Sequence, residues 1–161
     1  MNSYFSKLLD WFPNAEGISL PLCQIRSING IHKCRKLTVL DLTDNLLTEI
    51  SPDLEHLKDT LEGLSVSGSP ITHVPSFLTK MTRLKHLYVA NTLLTELPDD
   101  IGSLHELVTL NMKHSLIARL PDSFVKLTVG VQLVLFGLVV FFRLCKILNT
   151  AFTRKYCIAS L

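Results

Sequence analysis

Cysteine is scarce in this sequence, and its spacing excludes two common structural uses of the residue. The 161 residues include four cysteines, Cys23, Cys34, Cys145 and Cys157. No two of them form a C-x-x-C pair, and they lack the dense spacing of a small secreted domain held together by disulfides. The sequence therefore predicts neither a disulfide scaffold nor a cysteine-pair metal or redox site.

Catalytic motifs are lacking as well. The sequence contains no H-E-x-x-H motif and no glycine-rich phosphate-binding loop. His32, Cys34 and Cys23 lack a fourth zinc ligand, and both cysteines occupy apolar positions of a repeated pattern, where we expect small buried thiols. Asp41 and Asp44 resemble an acidic metal loop only superficially, and we expect them to be solvated. We therefore predict no catalytic, cofactor-binding or metal-binding residue and a protein that is not an enzyme.

A strong excess of one charge is absent, and the N-terminal segment does not predict a secretion signal. Lysine and arginine number 16 against 14 aspartates and glutamates, which gives a net charge of +2. This balance is not typical of a polyanion-binding protein, and we predict no nucleic acid partner. The N-terminal segment up to Gly17 contains a single lysine, Lys7, and Asp10 interrupts its apolar run, which is not the pattern of a signal peptide.

A repeated apolar pattern does run through most of the sequence. The clearest copy begins at Leu84 and reads LKHLYVANTLLTELPDDIGSL. Copies in the same phase begin at Leu37, Leu61 and Leu107, so the spacing between starts is nearly constant. A degenerate copy begins at Ala15. Agreement at nearly every apolar position indicates a tandem structural repeat.

This pattern, L-x-x-L-x-L followed by a later L-P-x-x-I-x-x-L, resembles that of leucine-rich repeat proteins. The endings at Leu97–Pro98 and Leu120–Pro121 are similar to the 23-residue intracellular class found in Ras-suppressor and Ras-scaffold proteins. The resemblance implies an adaptor or scaffold whose partner is a small GTPase or its signalling complex. Extracellular members usually carry cysteine-rich caps, which are not visible here, and the resemblance therefore implies a cytoplasmic protein.

The repeat predicts an α/β fold, a leucine-rich repeat solenoid. The L-x-x-L-x-L segments alternate, so their leucines point inward from short strands, and these strands stack as a curved parallel sheet on the concave face. The later spacings of three to four predict short helical or 3₁₀ turns on the convex face. We predict an N-terminal capping segment over residues 1–14 with a helix from Tyr4 to Trp11, repeats over 15–127, and a C-terminal tail over 128–161.

The ninth position of each repeat departs from the family pattern. Leucine-rich repeats usually have an asparagine there, whose amide satisfies backbone groups at the bend after the strand. This sequence has instead Cys23, Asn45, Ser69, Thr92 and Ser115. A hydroxyl has less reach than an amide and forms fewer hydrogen bonds, so we expect the same fold with lower stability.

An uncharged segment follows the last clear repeat. Residues 127–142 read LTVGVQLVLFGLVVFF, and the basic residues that follow have no acid among them. One interpretation is an apolar C-terminal helix or cap, because Leu133 and Leu135 fit the repeat phase. The other is a membrane segment over residues 127–148 that crosses the bilayer or lies at its surface. Gly130 and Leu138 depart from the repeat consensus, which slightly favours membrane attachment.

Outward-facing positions of the strands are predicted to bind a protein partner. They change along the sheet from acidic through small to aromatic and basic, and a tyrosine beside a lysine is typical of recognition hot spots. The predicted partner-binding residues of the concave face are Asp41, Asp44, His86, Tyr88, Asn91, Asn111, Lys113 and His114. We predict a non-enzymatic interaction module; the alternatives are a membrane-attached adaptor and a fragment or subunit of a larger signalling enzyme.

Overall fold

A computed structural model describes residues 3–128 and 132–134, which form a series of similar units of one strand and one 3₁₀ helix. The helix α1 spans Ser3–Leu9. The strands are β1 Gly17–Ser19, β2 Val39–Asp41, β3 Gly63–Ser65, β4 His86–Tyr88, β5 Thr109–Asn111 and β6 Gln132–Val134. The 3₁₀ helices are η1 Ile31–Lys33, η2 Pro52–Leu57, η3 Ser76–Lys80, η4 Ile101–Ser103 and η5 Asp122–Thr128.

The six strands form one parallel sheet in sequence order. The register sets the repeat leucines side by side, with Leu40 opposite Leu64, Leu64 opposite Leu87, and Leu87 opposite Leu110. All four leucines are at most 1% exposed. The predicted leucine-rich repeat architecture, a parallel sheet with short 3₁₀ turns on the return segments, is therefore confirmed.

One apolar core runs between the sheet and the 3₁₀ helices. Strand leucines pack there with buried residues of the return segments, such as Leu54, Leu78 and Ile101, which are all 0% exposed. A strand of this length or a single turn of 3₁₀ helix is not stable alone. Burial of apolar surface between neighbouring repeats, worth about 25 cal/mol per Å², therefore holds these elements in place.

The N-terminal helix lies at one end of this core. It spans Ser3–Leu9 rather than the predicted Tyr4–Trp11, and Leu9 is 2% exposed. After Leu9 the N–H groups of Asp10, Trp11 and Phe12 donate to carbonyl oxygens three residues back, so the chain continues in tighter turns rather than as α-helix. Trp11, which the sequence suggested as part of an apolar cap, is 81% exposed. The cap is therefore made by one face of a short helix, and the aromatic residue after it lies outside the core.

The sixth strand lies in the segment for which a cap and a membrane span were both predicted. Strand β6 continues the register, with Leu133 opposite Leu110. The rest of the predicted apolar C-terminal helix or cap, and of the membrane segment over 127–148, lies outside the described residues. Among residues 3–128 and 132–134, no helix combines the length and the apolar character needed to cross a bilayer.

The bend after each strand shows how the missing asparagines are replaced. Asn45 is 2% exposed and its amide is hydrogen-bonded only to backbone groups. Its Oδ1 accepts from two N–H groups of the preceding repeat at 2.9 and 3.2 Å. Its Nδ2 donates to three carbonyl oxygens at 2.8, 2.9 and 3.3 Å. One amide thus joins two repeats.

The hydroxyls at the same position replace only one of these bonds. Thr92 and Ser115 each donate to the carbonyl oxygen of the residue three positions earlier, at 2.8 Å in both cases. The hydroxyl of Ser69 is buried and has no hydrogen-bond partner in the described part of the chain. The fold is kept with fewer bonds between repeats, as the sequence predicts.

Candidate functional site

The outer face of the sheet carries two rows of side chains that the strand register aligns. The first row is Gly17, Val39, Gly63, His86 and Thr109, and the second is Ser19, Asp41, Ser65, Tyr88 and Asn111. Strand β3 contributes only a glycine and a serine to these rows, whereas the strands on both sides of it contribute larger side chains. The face is therefore lowest over β3.

A hollow of about 400 Å³ lies at this low point. We call it the β3 hollow, and its lining residues are Val39, Leu40, Asp41, Thr43, Gly63, Leu64, Ser65, His86 and Tyr88. A Cβ atom added to Gly63 would meet only the two methyl carbons of Val39, at 3.6 and 3.7 Å. These are ordinary contacts, so the hollow exists because the central residue of the first row has no side chain.

Asp41 forms the acidic wall of the hollow. Its Oδ1 accepts hydrogen bonds from the Thr43 N–H at 3.0 Å and the Thr43 hydroxyl at 2.6 Å, and its Oδ2 accepts from the Ser19 hydroxyl at 3.1 Å. Burial alone would raise the pKa of Asp41, but these hydrogen bonds outweigh it and the net shift is downward. The carboxylate is therefore ionised at neutral pH and fixed in orientation.

His86 and Tyr88 form the aromatic wall on the other side of β3. Their ring centroids are 6.4 Å apart and the ring planes differ by 14°. Both side chains are half-buried, and Nδ1 of His86 is buried with no hydrogen-bond partner among the described residues. Two stacked rings on one strand present a flat, ordered surface of the kind that partner side chains pack against.

Three of the predicted partner-binding residues lie after the ends of the strands, at positions where the backbone is left-handed. Asp44, Asn91 and His114 have φ angles of 55, 52 and 57°. The equivalent positions of the other two repeats, Leu22 and Gly68, have φ angles of 59 and 72°. Asparagine, aspartate, histidine and glycine are the residues that best tolerate this conformation. The backbone therefore accounts for the residue types at all of these positions except Leu22.

The left-handed residue lets the chain continue its hydrogen bonds past the strand. The Asp44 N–H donates to the Ser67 carbonyl at 2.8 Å, and the Asn91 N–H donates to the Lys113 carbonyl at 2.7 Å. The residue that follows each one is the ninth of its repeat, where the chain bends into the core. Asp44, Asn91 and His114 are exposed, but none of them lines the β3 hollow.

Asn111 and Lys113 lie on the far side of the aromatic wall. Asn111 is opposite Tyr88 in the register, and its Oδ1 accepts a hydrogen bond from the Lys113 N–H at 3.1 Å. This bond is a local turn between the side chain of one residue and the backbone two residues on. The structure thus brings Asp41, His86 and Tyr88 together in one hollow and places the other five predicted residues outside it.

The residues that complete the hollow are not among the predicted partner-binding residues. Val39 is 49% exposed, and Thr43 links the acidic wall to Ser65 through a contact of 2.8 Å between the two hydroxyl oxygens. Gly63 is the decisive residue, because it leaves the space open. The sequence contains a signal for this hollow, because the repeat spacing aligns Gly63 with Val39 on one side and with His86 on the other.

Cys23, Cys34 and His32 do not assemble a metal site. Cys34 is buried, and burial raises the pKa of its thiol. Cys23 is exposed, so the expectation that both thiols are buried is wrong for Cys23, which belongs to the repeat of the edge strand β1. His32 Nδ1 lies 3.1 Å from an oxygen of Asp53. Within the described residues, no three histidines, cysteines or acids are placed to hold a metal ion.

Comparison with known proteins agrees with this architecture. The Leucine Rich Repeat family model matches residues 36–57, which include β2 and η2. No curated protein matches the chain at a significant level of sequence similarity. A solved leucine-rich repeat protein of Leptospira interrogans is 23% identical with a TM-score of 0.71, over 85% of this chain and 35% of its own length.

Two further solved structures share the same architecture at lower coverage. The plant peptide hormone receptor RGFR1 in complex with RGF2 is 20% identical with a TM-score of 0.56, over 66% of this chain and 18% of the receptor chain. The PEPR1–AtPEP1 structure is 20% identical with a TM-score of 0.57, over 68% of this chain and 16% of the matched chain. This chain thus spans about a third of the length of the Leptospira protein and under a fifth of the other two chains. The chain has the leucine-rich repeat fold.

Proposed function

We propose that this protein is a non-enzymatic interaction module that binds a protein partner on the outer face of its sheet. The β3 hollow is the observation that carries the proposal. An ionised carboxylate, two stacked aromatic rings and an exposed valine surround a floor of small residues, Gly63 and Ser65. Binding energy at protein interfaces concentrates where anchoring side chains fill such pockets.

The shape of the hollow favours a protein ligand over a small molecule. Sites for small molecules have volumes of about 300–1,000 Å³ and bury most of the ligand, and this hollow, at about 400 Å³, lies open on the face of a sheet. It suits one protruding side chain of a partner whose neighbouring residues contact the rest of the face. RGFR1, which has the same fold, is a peptide hormone receptor and forms a complex with RGF2.

The class of partner rests on the sequence. The endings at Leu97–Pro98 and Leu120–Pro121 resemble the Ras-suppressor and Ras-scaffold class, so a small GTPase or its signalling complex is the first partner to test. The same resemblance supports a cytoplasmic location. Membrane attachment through residues 127–148 is the second candidate, and the uncharged run followed by basic residues supports it.

The test fills the hollow without disturbing the strand. Gly63→Leu places a side chain in the open space, where the first added atom makes only ordinary contacts. Gly17→Leu is the matched control, because Gly17 has the equivalent strand position on β1 and nothing lies within 4 Å of an added Cβ. Both variants and the wild type serve as bait in a capture experiment from cell lysate.

We expect the wild type and Gly17→Leu to capture the same partners in equal amounts. Gly63→Leu should capture at least about tenfold less of them, which corresponds to a loss of about 1.4 kcal/mol of binding free energy. Tyr88→Ala should reduce capture more than Lys113→Glu, because loss of an aromatic anchor lowers affinity while a peripheral charge mainly alters the association rate. Equal capture by all variants, at equal melting temperature, would move the binding site to the 3₁₀ side or to the tail.

A further inference from the structure

We propose that the β3 hollow receives a lysine or arginine side chain of the partner. This inference rests on the proposed function and specifies the chemistry of the partner. Three features of the hollow carry it, namely the charge of its lining, the remaining acceptor on Asp41, and the distance between the acidic and aromatic walls.

The charge of the lining is negative. Of the described residues that line the hollow, Asp41 is the one acid, and no lysine or arginine is among them. An aspartate or glutamate of a partner would meet a like charge there. A purely apolar side chain would cover the half-buried carboxylate and remove it from water without compensation, which is unfavourable. A cation is the ligand that compensates the charge it buries.

Asp41 is prepared to accept one more hydrogen bond. A carboxylate has about four acceptor positions, and three are used, two on Oδ1 by Thr43 and one on Oδ2 by Ser19. Asp41 lines the hollow, and the remaining position on Oδ2 is the one that we assign to an N–H group of the bound cation. Because the three existing bonds already fix the carboxylate, little additional ordering is needed when a ligand binds, and a charge-assisted bond forms with a prepared acceptor.

The opposite wall suits the other side of the same cation. Strands β2 and β4 are separated by β3, and two strand spacings amount to about 9.6 Å. A guanidinium or ammonium group between them can bond to Asp41 and also lie against the ring of Tyr88, which His86 supports by stacking. Val39 at the rim and the small residues of the floor leave room for the methylene stem of a long basic side chain.

The experiment compares a cation with its neutral isostere. The ¹⁵N-labelled full chain is titrated with the peptide acetyl-Gly-Arg-Gly-amide and, separately, with the same peptide carrying citrulline in place of arginine. We expect amide shifts at Asp41, Ser65 and Tyr88 with the arginine peptide, and an affinity at least about fivefold lower for the citrulline peptide, the size expected for a partly buried charge-assisted bond.

Variants assign the effect to the hollow. Asp41→Asn keeps an oxygen to accept from Thr43 and should lower the affinity for the arginine peptide to that for the citrulline peptide. Gly63→Leu should abolish both. Asp44→Asn is the matched control, because it removes a nearby carboxylate that lies outside the hollow and keeps a residue type suited to φ 55°; it should change neither affinity.

The results separate this inference from the proposed function. Equal affinity for the two peptides, or an arginine affinity that Asp41→Asn leaves unchanged, would overturn the cation assignment. If Gly63→Leu still prevented partner capture in that case, the hollow would remain the binding site for a different side chain. If Gly63→Leu left capture unchanged, the proposed function itself would be wrong.

Discussion

Asn45 shows how much one side chain contributes to the joint between two repeats. We expect Asn45→Ala to lower the free energy of unfolding by about 2–4 kcal/mol, because it leaves buried N–H and carbonyl groups without partners. Ser69 occupies the same position in the next repeat, and its buried hydroxyl has no partner among the described residues. Ser69→Ala should therefore change the free energy of unfolding by less than about 0.5 kcal/mol.

Chemical denaturation of both variants, under identical conditions, measures this difference. A similar loss for the two would mean that the hydrogen bonds of Asn45 stabilise the fold no more than the bonds with water that they replace. A large loss for Ser69→Ala would show that the serine hydroxyl has a partner in solution.

Leu22 is a residue that does not suit its backbone. It has a φ angle of 59°, its side chain is 75% exposed, and left-handed backbone is unfavourable for leucine by about 1–2 kcal/mol. We expect Leu22→Asn to raise the free energy of unfolding by about 0.5–1 kcal/mol. The reverse change, Asn91→Leu at φ 52°, should lower it by a similar amount. Melting curves that move in the same direction for both variants would contradict this explanation.

At this scale the sequence identified the outer face but not the hollow. Alternation of inward and outward residues correctly placed Asp41, His86 and Tyr88 on the outer face. It does not extend past the end of each short strand, and at Asp44 and Asn91 the chain has already turned into left-handed backbone. Gly63 has no side chain to mark it in the sequence as a binding residue, and the space above it follows only from the alignment of β2, β3 and β4.

The 3₁₀ helices of the last described repeats approach each other closely at a glycine. The Gly102 N–H in η4 donates to the Ser123 hydroxyl in η5 at 3.1 Å, and a Cβ added to Gly102 would collide with the backbone carbonyl oxygen of Ser123. We expect Gly102→Ala to lower the free energy of unfolding by about 1–3 kcal/mol, because backbone cannot rotate away as a side chain can.

Gly17→Ala provides the comparison for this change. Nothing lies within 4 Å of a Cβ added to Gly17, so its effect should stay within about 0.5 kcal/mol, the usual range for a surface substitution. Equal effects of the two substitutions in urea denaturation would show that η4 and η5 can separate without loss.

The elements themselves follow from the sequence because every repeat has the same requirement. The strand leucines have to be buried, and the nearly constant repeat length brings them into register, as Leu64 and Leu87 show. The exact helix ends were less predictable. The N-terminal α-helix stops at Leu9, and the next three residues form turns closed by hydrogen bonds to the residue three positions back. Apolar spacing does not distinguish the two, because such turns also place residues three apart on one face.

Acid should weaken the whole molecule through carboxylates that are hydrogen-bonded in the folded state. The Gly30 N–H donates to Asp53 at 2.6 Å, and this bond, outweighing burial and aided by His32, lowers the pKa of Asp53. The pKa of Asp41 is lowered as well. A folded-state pKa below the unfolded value of about 3.9 contributes stability above that pH, and this contribution is lost as the pH falls through the folded-state pKa.

We therefore expect the free energy of unfolding to decrease as the pH falls below about 4. The double variant Asp41→Asn, Asp53→Asn should show a smaller decrease over the same range. Urea denaturation across the acidic range up to neutral pH measures both slopes. Identical slopes for the two proteins would assign the acid sensitivity to other carboxylates, such as Glu62, whose pKa is lowered by hydrogen bonds from Lys85 and Arg83.

The end of the sheet decides which of the two roles predicted for the apolar segment is correct. Strand β6 pairs with β5 in the repeat register, so deletion of residues 128–161 removes a strand and exposes the edge of β5, while deletion of 135–161 keeps it. An exposed edge beside buried residues such as Met112 promotes aggregation, and terminal repeats need a cover. We expect the longer deletion to melt at least about 5 °C below the shorter one and to aggregate.

Fractionation of the full chain completes the comparison. If β6 alone covers the last repeat, the shorter deletion stays folded, and the apolar residues beyond position 134 are free to serve membrane attachment. Surface attachment should then be released by salt, because it depends on basic residues near anionic lipid, whereas a span should resist salt and carbonate. The two truncated proteins could instead have the same melting temperature and both stay soluble. In that case β6 adds no stability, and the whole segment after Leu127 has a role outside the solenoid.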